Sequence, residues 1–144
     1  MNRIYIILKG LPVDDVIDRI LYGAKTVAVV GLSDKPHRPS HGVAQHLQES
    51  GYRVIPVNPM IREALGEKSY GSLTEIPGEV DLVDVFRRSE NVPGIAEEAI
   101  RIGAKYFWMQ EGVVSERARA RLAAAGIPVV MDRCVSKELA KRGR

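Results

Sequence analysis

Short apolar runs alternate with segments of helical periodicity along most of the chain. The strongest run, Thr26–Val30, is mostly β-branched and is typical of a strand buried on both faces. Gly31 ends this strand, because glycine accepts backbone conformations closed to other residues. Apolar residues then recur at helical spacing from Ser40 to Gly51, which predicts a helix with Ser40 as its N-cap and Gly51 as its stop.

The same alternation continues through the chain and predicts four further strands and four further helices. Strands that alternate with helices at this interval form parallel βαβ units. The pattern therefore predicts an α/β fold, a Rossmann-like open parallel sheet of about five strands with helices on both faces in three layers. Residues 60–78 are interpreted as irregular, with at most short helical turns. The further strands are Arg53–Val57, Asp81–Phe86, Lys105–Met109 and Pro128–Met131, and the further helices are Pro12–Gly23, Val92–Gly103, Ser115–Gly126 and a short basic helix from Ser136.

Composition favours a soluble globular protein. The 144 residues are enough for one domain and too few for two, so a single domain is predicted over residues 1–144. The formal net charge of +3 and the aromatic content of 6% do not indicate a nucleic-acid partner. No apolar run is long enough to cross a membrane and no signal-peptide cleavage site is evident, so we expect a cytoplasmic protein without a membrane partner.

The first ten residues contain an apolar run, Ile4–Leu8, with strong strand character. A run of this kind is prone to aggregate when it is left uncovered. We therefore interpret residues 1–10 as an extra edge strand or as an arm that packs on a neighbour, which is compatible with a homodimer.

Cysteine and histidine are too sparse to predict a metal site. Cys134 is the single cysteine, which excludes an internal disulfide and a zinc-binding thiolate cluster. The three histidines, His37, His41 and His46, lie in the first loop and helix, and no spaced carboxylate or cysteine completes a ligand set. We therefore expect no bound metal.

The residues that follow the predicted strands should lie along one edge of the sheet, where open parallel sheets bind their ligands. After the first strand, a glycine turn leads into a helix N-terminus, an arrangement that stabilises a phosphate or another anion. The same turn also occurs in sheets that bind nothing there, so this turn alone leaves phosphate binding open. Basic side chains at this edge favour a polyanionic ligand, and they are Lys35, Arg38, Arg87 and Arg88.

The common nucleotide-binding motifs are absent. A G-x-G-x-x-G turn would need glycine where Ser33 stands, and the ribose-binding carboxylate of dinucleotide domains is replaced by the sequence around Asn58. The Walker motif is also missing, which disfavours a nucleotide triphosphatase. NADP stays open as an alternative ligand, because Arg62 follows the second strand and is placed to take a 2′-phosphate.

Six motifs stand in a fixed order along the chain, namely Val29–Ser33, Arg38–Ser40, Gly51–Pro59, Asp84–Arg87, Trp108–Val113 and Gly126–Cys134. In this order and spacing the chain resembles the small stand-alone CoA-binding proteins, which are similar to the CoA-binding domain of the succinyl-CoA synthetase alpha subunit. The resemblance covers about Val13 to Glu138. The combination is more specific than any single motif.

The resemblance implies coenzyme A as the ligand and implies a role for each part of the edge. Arginine side chains and a helix N-terminus also suit the pyrophosphate and the 3′-phosphate of CoA on physical grounds. By resemblance, the phosphate-binding loop is Gly31, Leu32 and Ser33 with Lys35, Arg38 and Ser40, the segment that borders the adenosine is Val57, Asn58 and Pro59, the loop beside the nucleotide is Phe86, Arg87 and Arg88, and the turn near the pantetheine arm is Gln110, Glu111 and Gly112.

Two departures limit what the resemblance implies. The synthetases use a phosphorylated histidine from a second domain, which this chain lacks, so ligase activity is not implied. Stand-alone members also often continue from the Asp-Arg-Cys motif to a Glu-His pair. Here Lys137–Leu139 contains no histidine, which leaves the role of this end open.

Candidate catalytic residues are few. Cys134 follows the fifth strand at the ligand edge and is interpreted either as a thiol that forms a mixed disulfide with CoA or as an inert packing residue. Glu111 is interpreted as a solvated carboxylate or one at a helix N-terminus rather than as a general acid or base. Trp108 lies in the middle of a strand, which favours the core over a stacking role on adenine.

Two hypotheses for function follow. The favoured one is a module that binds CoA or an acyl-CoA without catalysis, for storage, sensing or thiol protection. The alternative is an enzyme, either an NADP-dependent oxidoreductase or an acyl-CoA-processing protein that depends on a partner subunit.

Overall fold

The fold is built on a parallel sheet. A computed structural model describes residues 4–5 and 12–144 of the chain. Its strands are β1 (Ile4–Tyr5), β2 (Thr26–Val30), β3 (Arg53–Val57), β4 (Glu63–Ala64), β5 (Glu67–Lys68), β6 (Leu82–Val85), β7 (Tyr106–Met109) and β8 (Val129–Val130). The main sheet has the order β1-β8-β7-β6-β2-β3, in which the five strands from β8 to β3 run parallel and β1 runs antiparallel to β8.

Helices cover both faces of this sheet, namely α1 (Val13–Gly23), α2 (Pro39–Glu49), α3 (Val92–Arg101), α4 (Glu116–Ala124) and α5 (Val135–Lys141). Successive residues of a strand point to opposite faces. Val27 and Val29 therefore pack against α1, α2 and α5, whereas Ala28 and Val30 pack against α3 and α4. The predicted three-layer Rossmann-like sheet with five parallel strands is confirmed.

The strand order reverses between β2 and β6. From β2 the chain crosses to β3 on one side, and it then returns to β6 on the other side before it continues to β7 and β8. A reversal of this kind opens a crevice at the carboxyl ends of the two strands, because the connections leave in opposite directions. Gly31 and Phe86 are the residues that follow β2 and β6 at this crevice.

The start of α2 differs from the sequence-based expectation. Ser40 does not cap the helix, which begins at Pro39 with Arg38 as the N-cap residue and without a side-chain cap. Proline suits the first helical position because its fixed φ is helical and its missing N–H has no partner there. The Ser40 hydroxyl is used elsewhere, as it accepts a hydrogen bond from the backbone N–H of Ser33 at 3.0 Å.

The irregular stretch contains a hairpin that the sequence did not reveal. β4 and β5 pair antiparallel around Leu65 and Gly66, both of which have positive φ. Each strand has two residues and little apolar character, so no alternation signals them. The hairpin is held to α2 because the Gln48 side-chain amide donates a hydrogen bond to the Leu65 carbonyl at 3.0 Å. A 3₁₀ helix, Leu73–Glu75, matches the expected short helical turn.

An aspartate precedes the central strand β6 at its amino end and has a full set of partners. One oxygen of Asp81 accepts hydrogen bonds from the backbone N–H groups of Lys25 at 2.8 Å and Thr26 at 3.0 Å. Its other oxygen lies 3.2 Å from the Lys105 ammonium group. Burial alone would raise the pKa of Asp81, but these donors outweigh it and the pKa is lowered.

A second aspartate lies inside β6 under opposite conditions. Asp84 is fully buried, and within the described residues neither of its carboxyl oxygens has a hydrogen-bond partner. Burial raises the pKa of Asp84 well above its ordinary value. The backbone N–H of Val85 opposes this shift to a smaller extent, although it does not reach hydrogen-bond geometry with either carboxyl oxygen. Burial therefore favours the un-ionised form of the Asp84 carboxyl group.

The amino-terminal strand lies at the edge of the sheet beside β8. Ile4 is opposite Val130 and Tyr5 is opposite Val129. Residues 6–8 of the apolar run lie outside the described residues. Within the part of the chain that the structure describes, no helix has the length and apolar content needed to cross a bilayer.

Candidate functional site

A tight backbone contact lies at the base of the crevice where the strand order reverses. Gly31 has φ +88°, and a Cβ atom at this position would lie 2.2 Å from the Phe86 carbonyl oxygen. Its N–H donates to the Val57 carbonyl at 2.8 Å. Glycine is therefore required here both by conformation and by space, and the contact brings the turns after β2 and β6 together.

The loop between β2 and α2 is shaped by its own polar groups. The Ser33 N–H donates to the Ser40 hydroxyl, and the Lys35 N–H donates to the Ser33 hydroxyl at 3.1 Å. The Arg38 N–H donates to the Lys35 carbonyl at 3.0 Å. This loop wraps the N-terminus of α2, which no side chain caps, so the positive end of the helix dipole faces the loop.

Three neighbouring clefts open along the carboxyl edge of the sheet. The first, here called the loop cleft, has a volume of about 570 Å³ and lies over the β2–α2 loop. Met60 and Ile61 form its apolar side. The loop cleft gathers five of the residues predicted for the phosphates, which are Gly31, Ser33, Lys35, Arg38 and Ser40.

The second cleft, the central cleft, has a volume of about 780 Å³ and lies between the start of α2 and the start of α5. Pro39 and Val43 of α2 line one side of it. Phe86 and Pro39 are shared with the loop cleft, so the two clefts adjoin. The central cleft brings together the predicted residues from three separate strand ends, which are Phe86, Arg87, Arg88, Gln110, Glu111 and Cys134.

The third cleft, the outer cleft, has a volume of about 340 Å³ and lies on the α3 side of the edge. Val57 and Pro59 line it, together with Leu73 of the 3₁₀ helix. Arg87 and Asn91 line both the outer and the central cleft. The three clefts therefore form one continuous surface, and Arg87 stands where two of them meet.

The edge carries cationic side chains with no acidic partner. Within the described residues, Lys35, Arg38, Arg87 and Arg88 form no ion pair. The one acidic side chain of the central cleft, Glu111, is bound by the Lys137 ammonium group at 3.0 Å. Unpaired cations around a cleft raise the local concentration of anions, so the edge favours a polyanionic ligand.

The loop that carries Cys134 is held firmly by β7 and the turn after it. The Trp108 indole N–H donates to the Arg133 carbonyl at 2.8 Å, and the Gly112 N–H donates to the Asp132 carboxylate at 2.8 Å. The Val135 N–H donates to the Gln110 side-chain oxygen at 3.2 Å. Trp108 itself is fully buried, which confirms its predicted place in the core.

Thirteen of the sixteen predicted site residues line at least one of the three clefts, and three do not. The Leu32 side chain is completely buried in the core. The Asn58 side chain donates to the Leu32 carbonyl at 3.0 Å and thereby braces the loop. Gly112 contributes its N–H to Asp132 rather than to a cleft. Arg62, the residue considered for an NADP phosphate, lines none of the three clefts.

Other cleft residues escaped the sequence analysis. Met60 is 85% exposed and lines the loop cleft with Ile61, and Asn91 lines the central cleft. The position of Met60 and Ile61 directly after Pro59 is the one signal in the sequence, because residues that follow a parallel strand lie at the ligand edge of the sheet. Asn91 becomes a neighbour only through the fold. Within the described residues, no three potential metal ligands cluster.

Comparison with known proteins places this geometry in context. The sequence profile of a family described as CoA binding domain matches residues 25–140. Protein YneT of Bacillus subtilis (strain 168) is 52% identical over 119 residues, which is 83% of this chain and 88% of YneT. Acetate–CoA ligase (ADP-forming) II of Archaeoglobus fulgidus is 33% identical over 89 residues, which is 60% of this chain but 13% of the ligase.

A solved structure shows the same fold. The solved structure of a protein from Pyrococcus horikoshii OT3 superimposes with a TM-score of 0.88 at 37% sequence identity, and the match covers 98% of both chains. The architecture described above is therefore shared over nearly the whole chain.

Proposed function

The chain belongs to the CoA-binding domain family, and on this basis we propose that it binds coenzyme A or an acyl-CoA along the carboxyl edge of its sheet without catalysing a reaction of its own. The observation that carries the proposal is the match of the family profile to residues 25–140, a range that contains the residues of all three clefts.

The phosphates of the ligand would lie in the loop cleft. Its floor is the uncapped N-terminus of α2, and Lys35 and Arg38 stand over it without acidic partners in the described residues. Backbone N–H groups and guanidinium groups donate strong hydrogen bonds to phosphate, and a helix dipole stabilises its negative charge. The adenosine would border Val57 and Pro59.

The pantetheine arm would run through the central cleft. This cleft joins the loop cleft at Phe86 and Pro39, and Cys134 also lines it. A pantetheine arm that extends from the phosphates through this cleft would therefore approach the Cys134 thiol. Its walls combine Val43 and Val113 with polar groups, which suits an arm that alternates methylene and amide groups. Cys134 would then lie near the sulfur of the ligand.

A second candidate is an acyl-CoA-processing role that needs a partner subunit. The similarity to part of an acetate–CoA ligase favours it over an NADP-dependent oxidoreductase. In this case the chain would hold the CoA while the partner supplied the reacting groups.

Calorimetric titration of nucleotide-free protein with CoA, dephospho-CoA, NADP and ATP under reducing conditions tests the proposal. We expect CoA to bind more tightly than dephospho-CoA, because the cationic edge would recognise the 3′-phosphate. Binding of NADP without binding of CoA would refute the proposal.

The variant Arg38→Ala tests the placement of the phosphates. Loss of a charge-assisted hydrogen bond should weaken CoA binding roughly 10- to 100-fold. Arg101→Ala is the matched control, because Arg101 is exposed at the end of α3 and lines none of the three clefts. Equal affinity of the two variants would place the phosphates elsewhere.

A further inference from the structure

Asp84 is the most unusual polar group among the described residues. It lies in the central strand with 0% exposure, and its two carboxyl oxygens are the buried side-chain atoms that lack any hydrogen-bond partner there. A buried polar group without a hydrogen-bond partner destabilises the fold. A group with this effect on stability calls for an explanation at the level of function.

The register of the sheet places Asp84 directly below the central cleft. Asp84 is opposite Val29 on one side and Trp108 on the other. The ladder continues one step further, since the Phe86 N–H donates to the Val30 carbonyl at 2.8 Å and the Gln110 N–H donates to the Val85 carbonyl at 3.3 Å.

Residues two apart on a strand point to the same face. Phe86 and Gln110 therefore stand above Asp84 and Trp108 on the face covered by α2 and α5, and both of them line the central cleft. Asp84 precedes Phe86 by two residues, which is about 7 Å along the strand, and it therefore lies below this floor.

Phe86 is the part of this floor that is only partly buried, and it borders both the loop cleft and the central cleft. Gln110, in contrast, is fixed because its side-chain oxygen accepts the Val135 N–H. Rotation of Phe86 about χ1 into open cleft space would uncover the position below it.

We propose that Asp84 is a specificity-determining residue whose carboxyl O–H donates a hydrogen bond to the carbonyl oxygen of a short acyl group on the sulfur of the bound ligand. The inference rests on the proposed function and narrows its ligand to a short-chain acyl-CoA. An un-ionised carboxyl offers one donor, and a thioester carbonyl is the acceptor nearest the sulfur, whereas a free thiol accepts hydrogen bonds poorly. The fully buried Val29 and Trp108 on either side of Asp84 limit the acyl group to a few carbons.

The test compares three ligands that differ only at the sulfur, namely CoA, acetyl-CoA and the thioether S-ethyl-CoA, which lacks the carbonyl. Calorimetry should show that the wild-type protein binds acetyl-CoA about tenfold more tightly than S-ethyl-CoA. In Asp84→Val this ratio should fall to about one, while the affinity for free CoA changes less than about twofold. Asp84→Asn keeps an N–H donor and should retain part of the preference.

Three results would decide the question differently. Absence of an acetyl-CoA preference in the wild-type protein, or its survival in Asp84→Val, would overturn the role of Asp84 even though CoA binds. Failure of the wild-type protein to bind any of the three ligands would instead refute the proposed function. Asp81→Asn is the control at the other end of β6, and it should leave the ratio unchanged because Asp81 is remote from the clefts.

Discussion

Asp81 directly precedes the central strand and Asp84 lies within it, and the two carboxyl groups differ in their hydrogen-bond partners and in their pKa shifts. Asp81 receives two backbone N–H groups and an ammonium group, so it is ionised and ties the beginnings of β2 and β7 to β6. Asp84 is buried deeper and lacks a partner among the described residues, and its burial raises the pKa and favours the un-ionised form.

This difference teaches that the two ends of the sheet serve different needs. At the amino end, the hydrogen bonds and the ion pair of Asp81 contribute to stability. At the carboxyl end, the chain keeps an unpartnered carboxyl below a cleft, although an apolar residue there would give a more stable fold. Groups that reduce stability are often found where a protein binds its ligand. Asp84 lies toward the same end of the sheet as the glycine turn and the unpaired cations.

The largest effect is expected at the amino end. Asp81→Ala removes the acceptor of the Lys25 and Thr26 N–H groups and leaves these donors without it, which should lower the free energy of unfolding by about 3 kcal/mol. Urea denaturation at neutral pH measures this loss. A change below 1 kcal/mol would show that water replaces the carboxylate and would remove the contrast between the two aspartates.

The opposite change in the free energy of unfolding is expected for Asp84, inside β6. Asp84→Val replaces an unpartnered buried acid with a β-branched residue suited to a strand, and it should raise the free energy of unfolding by about 2 kcal/mol at pH 7. The same denaturation experiment checks it. A destabilised Asp84→Val variant would indicate that Asp84 has a stabilising partner in solution.

The dependence on pH separates the two residues further. Above the ordinary pKa of 3.8, the unfolded chain releases the Asp84 proton while the folded chain holds it, so the wild-type protein loses stability relative to Asp84→Val until the raised folded pKa is reached. Asp81 has the opposite sign, since its advantage over Asp81→Ala is full above 3.8 and is lost as the pH falls through the lowered folded pKa. Parallel slopes for both pairs would contradict the assignment.

The smallest effect is expected for the cationic partner of Asp81. The Lys105 side chain is 60% exposed, and its ion pair is therefore screened by water. Lys105→Met should lower the free energy of unfolding by less than about 1 kcal/mol. A loss as large as that of Asp81→Ala would mean that the Lys105 side chain, rather than the two backbone N–H groups, holds the Asp81 carboxylate.

The sequence predicted the layout of the sheet because that layout depends on local signals. β-branched runs marked β2 and β3, and the helix predicted from Ser115 is α4, which Ser115 caps because its hydroxyl accepts the Ala118 N–H at 3.1 Å. Since parallel strands present their carboxyl ends at one edge, the gathering of Phe86, Gln110 and Cys134 around one cleft also followed from the strand assignments.

The rest depended on contacts between residues distant in the chain. Ser40 looked like a cap, but its hydroxyl is bound to Ser33 across the loop, and Pro39 begins the helix instead. The β4–β5 hairpin lacks an alternating pattern, so no local signal marks it. Asp84 lies in the predicted strand Asp81–Phe86, and no local pattern shows that its carboxyl group lacks a partner among the described residues, because that depends on how the helices pack over this face.

Trp108 contacts both the strand that carries Asp84 and the loop that carries Cys134, and it is a natural fluorescent reporter of both. It is the single tryptophan, it lies beside Asp84 in the sheet, and its indole N–H holds the loop that carries Cys134. Its emission arises from one site and needs no attached dye. A change in the charge of the neighbouring carboxyl or a movement of the loop alters the surroundings of the indole, so fluorescence follows both events directly in the unlabelled protein.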